Sequence, residues 1–312
     1  MKRCVLGIDT SNYTTSLALI DEDLELIANI KLPLPVKAGE RGLRQSDAVF
    51  AHIKNLPEGL RDLERALSGY ELVAIGVSTR PRNQVGSYMP CFLVGYDMAL
   101  AMATVREIPL YEWSHQCGHI TAALYGADRL DLMERPFGAF HISGGTTELV
   151  KATFTGKGYL AEIAGGSKDL HAGQAIDRIG VAMGLPFPAG PHLESLATAY
   201  QGRVEKRSPK CEDCYIHLSG LENLALDLWK KTGDREATAA FVYQYVGAGI
   251  ERMSIGFREK YGELPLVYAG GVMSSKILQR RLSTLKDTYF APPSLSADNA
   301  VGVAVNTAKT HF

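Results

Sequence analysis

The chain has 312 residues, 46% of them hydrophobic, enough to bury a substantial core and long enough for two domains. Its formal net charge of −1 provides no global field to hold a polyanion, so contact with nucleic acid would need a local basic patch or a helper protein. Apolar stretches are interrupted well before a bilayer-spanning length, Met1-Lys2-Arg3-Cys4 runs directly into a strand-like segment, and the five cysteines are an odd number; the expectation is a cytoplasmic protein with reduced thiols, no signal peptide and no membrane anchor.

Strand-like runs at Cys4 to Asp9, Thr15 to Asp21 and Leu24 to Ile30, with turn residues between them, predict an antiparallel meander. From Asp47 to Leu67 the apolar spacing turns helical, and Leu72 to Val77 predicts a buried strand. A helix is expected over Gly95 to Val105, and Ser114 is placed to cap a helix carrying His115 through Leu124. The pattern then restarts, with strands at Phe137 to Ser143, Glu148 to Phe154 and Gly158 to Glu162, and a helix over about Ala172 to Met183. A polar segment from Tyr200 to Ser219 precedes helices at Leu221 to Lys231 and Ala237 to Lys260. The end of the chain predicts a strand at Leu266, a helix over Ser274 to Leu285, a strand near Tyr289-Phe290 and a last helix from Ala297 onward. The second half thus repeats the order of the first, strand meander followed by helix.

Three of these strands break into turns of small and hydroxyl residues: Leu6-Gly7-Ile8-Asp9-Thr10-Ser11, Phe140 through Thr147 with Ser143-Gly144-Gly145-Thr146, and Leu266 through Val272 with Gly270-Gly271. Glycine lets backbone N–H groups approach an anion, and hydroxyls add donors. A single strand ending in Gly-Gly is more often a hairpin, but three such turns suggest a cleft in which each half contributes a phosphate cradle. Asp9 ends its strand, where a carboxylate could hold a hydrated cation such as magnesium near the phosphates. Cys211 and Cys214 have zinc-knuckle spacing, yet a structural zinc needs four ligands and a second CxxC is lacking, so they read as two surface thiols in a polar loop.

Taken in order, the first turn, the His115-xxx-His119 pair, Ser143-Gly144-Gly145, Ala175-Ile176-Asp177-Arg178 leading into Gly184-Leu185-Pro186, Pro188-Ala189-Gly190-Pro191, Ala269-Gly270-Gly271-Val272 and Asp298-Asn299-Ala300 resemble the TsaD/Gcp family, the threonylcarbamoyl transferases of tRNA modification. The resemblance implies an α/β fold of two RNase H-like lobes in the actin, sugar-kinase and chaperone-ATPase architecture around a nucleotide cleft. It divides the chain into an N-terminal lobe, 1–132, and a C-terminal lobe, 133–312, with a helical insertion at about 190–262 and the last helix packing back on the N-terminal lobe.

His115 and His119, four apart on a predicted helix, project from one face, but a bare pair of this spacing is weak evidence for metal because a site needs at least three ligands. The resemblance supplies the third, Asp298, and implies one divalent metal, iron or zinc. Asp298 also falls at the expected start of the last helix, where a carboxylate offsets the positive dipole end with or without metal. An older reading of such proteins as metallopeptidases fails on Gln116, which stands where the zincin motif needs a glutamate general base. The resemblance further implies that Ile142, Ser143, Gly144, Gly145 and Thr146 contact the acyl end of an acyl-adenylate. Asp177 and Glu194 then reach the ribose, Gly190 lets the base lie close to backbone, and Gly270, Gly271 and Ser275 lie under the adenine or its phosphate.

The reaction implied is transfer of threonylcarbamoyl from threonylcarbamoyl-AMP to adenosine of tRNA, with AMP as leaving group. It needs no Ser-His-Asp or Cys-His set, and no general base stands out. Expected partners are tRNA, helper subunits of the threonylcarbamoylation system, and a dimer with a related-fold protein or a second copy. Several positions depart from the family pattern: Tyr13 where an acidic residue is usual, Thr146 for a histidine, Ser275 for an asparagine, Arg80 through Gly86 for a compact Gly-Pro-Gly turn, and Lys168 and His171 in a region acidic in close relatives. They imply a divergent paralogue and leave two other readings open: an ATP-binding carbamoyl or phosphoryl transferase acting on a small molecule, or a non-catalytic nucleotide-binding scaffold.

Overall fold

The computed structural model describes residues 1–35 and 43–312. In chain order the elements are β1 (Lys2–Ser11), β2 (Thr14–Asp21), β3 (Leu26–Pro33), α1 (Gln45–Ala66), β4 (Tyr70–Arg80), α2 (Cys91–Arg106), β5 (Leu110–Ser114), α3 (His115–Gly126), β6 (Phe137–Ile142), β7 (Thr147–Phe154) and β8 (Tyr159–Ser167). There follow α4 (Ala172–Ala182), α5 (Gly190–Ala199), β9 (Cys211–Glu212), β10 (Tyr215–Ile216), α6 (Ser219–Thr232), α7 (Arg235–Tyr261), β11 (Leu266–Ala269), α8 (Lys276–Leu282), β12 (Thr288–Phe290), α9 (Pro293–Ser296) and α10 (Val301–His311). They form two compact units, one of Met1–Leu130, Phe154–Leu160 and Leu295–Phe312, the other of Asp131–Thr153 and Ala161–Ser294.

The first unit holds a five-stranded sheet in the order β3-β2-β1-β4-β5. β1, β2 and β3 run antiparallel, while β4 lies parallel to β1 and β5 parallel to β4. β1 reads as a continuous apolar run because both of its faces are covered. Cys4, Leu6 and Ile8 join Leu56 and Leu63 of α1 and Ala99 and Ala103 of α2, whereas Val5 joins Ala304, Val305 and Ala308 of α10. A Cβ at Gly7 would stand 2.6 Å from Ala300 O and 2.7 Å from Ala304 N, so a glycine is what lets α10 lie against the strand.

The second unit holds a seven-stranded sheet in the order β12-β11-β6-β7-β8-β10-β9. Its core gathers around α7, buried on several sides through residues such as Val242, Val246, Ile250, Met253 and Phe257. Across the sheet, Phe140, Tyr268 and Phe290 stack at 4.7 and 5.1 Å. Among the described residues no helix is long and apolar enough to cross a membrane.

Three readings of local structure are corrected. The polar segment from Tyr200 to Ser219 contains the β9–β10 hairpin, in which Asp213 and Cys214 both take positive φ (46° and 64°), as a two-residue hairpin turn demands. Cys214 is consequently buried at 3% exposure and only Cys211 is partly exposed, so the pair is not two surface thiols. The last helix starts at Val301 rather than Ala297, and Asn299 Oδ1 accepts from Val301 N at 3.0 Å; Asp298 therefore lies ahead of the helix and not at its start. The helix expected over Ser274 to Leu285 is the shorter α8, preceded by a 3-10 turn at Gly271–Ser274.

Candidate metal centre

The centre is assembled in the first unit. Ser114 ends β5 in extended conformation and its hydroxyl accepts from Cys117 N at 3.1 Å, which starts α3 at His115. One helical turn then sets His119 beside His115, their Nε2 atoms 2.9 Å apart. Asp298 arrives from the segment before α10. α3 and α10 approach this closely because Gly118 and Gly302 meet: a Cβ on Gly302 would collide with Gly118 O and stand 2.6 Å from Ala122 N. Asp298 Oδ1 then lies 3.1 Å from His119 Nε2 and 3.7 Å from His115 Nε2.

Two imidazole nitrogens and a carboxylate oxygen lie within 4.8 Å of one another. Metal bonds of about 2.0–2.2 Å place neighbouring ligand atoms roughly 3–3.5 Å apart, close to the separations found. Two Nε2 lone pairs at 2.9 Å repel unless a proton or a cation stands between them. The donor set therefore suits a divalent transition metal, with three ligands rather than the four of a closed structural site.

Around these atoms is a second layer of hydrogen bonds. Asp9, at 1% exposure, sets Oδ2 at 2.9 Å from His115 Nδ1 and accepts a further bond there from Ser78 Oγ. Its Oδ1 accepts from Ser11 N at 3.0 Å, and Ser11 Oγ donates to Asp298 Oδ2 at 3.2 Å. A carboxylate on the far nitrogen of a ligating histidine fixes the ring and its tautomer. Burial alone would lower the His115 imidazole, but the Asp9 carboxylate and then Asp298 outweigh it and raise His115 to about 9. Burial would likewise raise Asp298, yet His119 and His115 hold it well below the usual carboxylate range.

Of the residues expected at the nucleotide, Asp9 and Ser11 thus stand at the metal centre. Thr10 is fully buried, its hydroxyl donating to Cys91 O at 3.0 Å and accepting from Gly95 N at 3.2 Å, which ties β1 to the start of α2. The second unit gathers the others. Ser143 N donates to Thr146 O at 2.8 Å, closing the turn after β6, and Ser143 O accepts from Gly173 N in the first turn of α4 at 3.2 Å. Gly144 and Gly145 face open space, and Gly270, at φ 101°, sits so tightly on Ile142 that a Cβ there would collide with its carbonyl. Gly271 opens the following 3-10 turn. Asp177 Oδ1 accepts from Ala189 N at 2.8 Å, and Gly190 O accepts from Tyr243 Oη at 2.8 Å. Glu194 Oε1 accepts from Ser275 Oγ at 2.8 Å and Ile277 N at 3.2 Å, so Glu194 and Ser275 together cap α8. Ser78 and His52 were not among the expected residues: each is linked to the centre through long-range contacts, without a local motif.

The family model described as TsaD, tRNA N6-adenosine threonylcarbamoyltransferase, matches residues 41–305. The chain is 29% identical over 314 residues to the tRNA N6-adenosine threonylcarbamoyltransferase of Thermus thermophilus, covering 98% of this chain and 93% of that one. In fold it is similar to full-length HypF, solved in a phosphate- and nucleotide-bound form, with a TM-score of 0.59 and 12% identity over 99% of this chain and 55% of that one. It is also similar to (R)-2-hydroxyglutaryl-CoA dehydratase component A of Acidaminococcus fermentans, at a TM-score of 0.55 and 12% identity over 98% of both chains. The architecture is that of the actin-like ATPases and sugar kinases, and the chain belongs to the TsaD family of transferases.

Proposed function

We propose that the protein transfers threonylcarbamoyl from threonylcarbamoyl-AMP to adenosine of tRNA, with one iron or zinc ion held by His115, His119 and Asp298. The observation that carries this reading is the convergence of those three side chains in a chain of this family. In the reaction the adenosine amine bonds to the carbamoyl carbon, the bond from that carbon to the phosphate oxygen breaks, AMP leaves with the electron pair and the amine gives up a proton. Negative charge develops on the carbamoyl oxygen. A bound metal supplies a Lewis acid for that oxygen.

The chain's own residues prepare the site for this chemistry. Asp9 accepts from His115 Nδ1–H, which leaves Nε2 as the ligating atom, and Ser11 holds Asp298 Oδ2. In the second unit the amides of Ser143 through Thr146 are proposed to receive the acyl end of the adenylate, with Gly144 and Gly145 leaving their approach open. Asp177 and Glu194 each have one oxygen engaged by the protein and offer the other to ribose hydroxyls. Gly190, Gly270 and Gly271 allow the base and phosphate to approach backbone. The protein would act in the cytoplasm with helper subunits, as a dimer with a related-fold protein or a second copy.

The test is a transfer assay with labelled threonylcarbamoyl-AMP, unmodified tRNA and helper subunits. Label is expected on tRNA with the parent protein and lost with His115→Ala, together with stoichiometric iron or zinc. An active, metal-free parent protein would overturn the metal assignment, and absence of transfer in the complete mixture would overturn the reaction.

A further inference from the structure

Ser11 is hydrogen-bonded to both carboxylates: its N–H holds Asp9 and its hydroxyl holds Asp298. Its third polar group, the carbonyl, is taken by a residue outside the first two layers. His52, on α1 and fully buried, has Nε2 2.8 Å from Ser11 O and Nδ1 2.8 Å from Thr15 Oγ1. A carbonyl can only accept, so Nε2 carries the hydrogen, Nδ1 is the acceptor and the Thr15 hydroxyl donates to it. Both ring nitrogens are satisfied by one neutral tautomer, and burial, which lowers the imidazole, favours that neutral form.

We propose that His52 is a positioning residue for the metal centre: by holding the Ser11 carbonyl it fixes the residue from which the Asp9 and Asp298 carboxylates are both aimed, and so tunes affinity for a divalent metal. This rests on the metal reading above, but concerns a residue that touches neither metal nor substrate. Its geometry gives a chain of contacts from α1 to Ser11 at the end of β1 and then to both carboxylates, with Thr15 of β2 holding the other ring nitrogen of His52. Outer partners of metal ligands typically change metal affinity 10–100-fold when removed.

Zinc alone is the probe, titrated into metal-stripped protein against a chromophoric chelator, with thermal melting of the same samples before zinc is added. His52→Leu is expected to bind zinc about 10–100-fold more weakly. His52→Gln keeps a nitrogen able to donate to Ser11 O and should return affinity to within a few-fold of the parent, whereas His52→Asn, one methylene shorter, should not. Leu63→Ala, a core truncation on the same helix, should lower the melting temperature without changing zinc affinity, separating positioning from general loosening. If His52→Leu does not fold, the contrast between His52→Gln and His52→Asn reads the same effect. Parent-like zinc affinity in His52→Leu or His52→Asn would overturn the proposal while leaving the metal centre standing. A parent protein that binds no zinc or iron would overturn the centre itself, and the proposal with it.

Discussion

At the level of single residues the centre is a charge arrangement: two carboxylates, two imidazoles and a serine that spans both acids. Asp9 is the member whose role is set by geometry rather than by its place at a strand end, since its Oδ2 meets His115 Nδ1 at 2.9 Å. Asp9→Asn keeps the size and removes the charge, and is expected to weaken zinc binding about 10–100-fold, read by the same chelator competition. Asp298→Ala removes a ligand and should abolish stoichiometric metal, measured by elemental analysis of the purified protein. The histidines were legible because a spacing of four on a helix has one spatial meaning. Asp298 came only through the resemblance, being 179 residues from the histidine it meets. His52 and Ser78 were not legible, because nothing near either in sequence indicates which backbone or carboxylate it will reach.

At the level of elements, the contact between α3 and α10 makes the centre possible. Gly302→Ala would drive a methyl into the backbone of α3, and a cost of ~2 kcal/mol or more is expected, measured as a lower urea midpoint, with metal content reduced in the folded fraction. In the second unit Asp169 caps α6, accepting from Ser219 Oγ at 2.7 Å and Leu218 N at 2.8 Å. Burial works against its ionised form, but the Ser219 hydroxyl and then the backbone donors outweigh it and lower the carboxyl to about 2. A carboxyl lowered on folding adds stability above its unfolded value near 3.9, and that contribution is lost as pH falls toward about 2. Asp169 is exposed and solvent screens these interactions, so the parent should exceed Asp169→Ala by ~1 kcal/mol or less at neutral pH, with the gap closing between about pH 4 and 2 in urea melts. The meander and the long helices were legible from their periods. The β9–β10 hairpin was not, because its turn uses Asp213 and Cys214 at positive φ where glycine or asparagine would have signalled it.

At the level of the whole molecule, the proposed metal ligands and their partners lie in the first unit, while Asp177, Glu194 and the Ser143 turn lie in the second. Asp177→Ala is expected to weaken AMP binding and leave zinc affinity at the parent value, both by calorimetry. A net charge of −1 provides no global field for tRNA, so helper subunits are expected to strengthen the complex at physiological salt, which a gel-shift titration with and without them checks.

The α/β class, the repeated order of meander and helix, the histidine pair and the family were readable before folding, because each is carried by local periodicity or by an ordered set of short motifs. Packing alone sets Asp9 and Ser11 beside the candidate metal centre, ties β1 to α2 through Thr10, places Asp298 ahead of the helix at whose start it was expected, and sets His52 behind Ser11. Those assignments depend on which carbonyl or carboxylate a side chain meets after chain segments tens to hundreds of residues apart have packed. A hydrogen bond at 3 Å is fixed by that packing and leaves no period in the sequence.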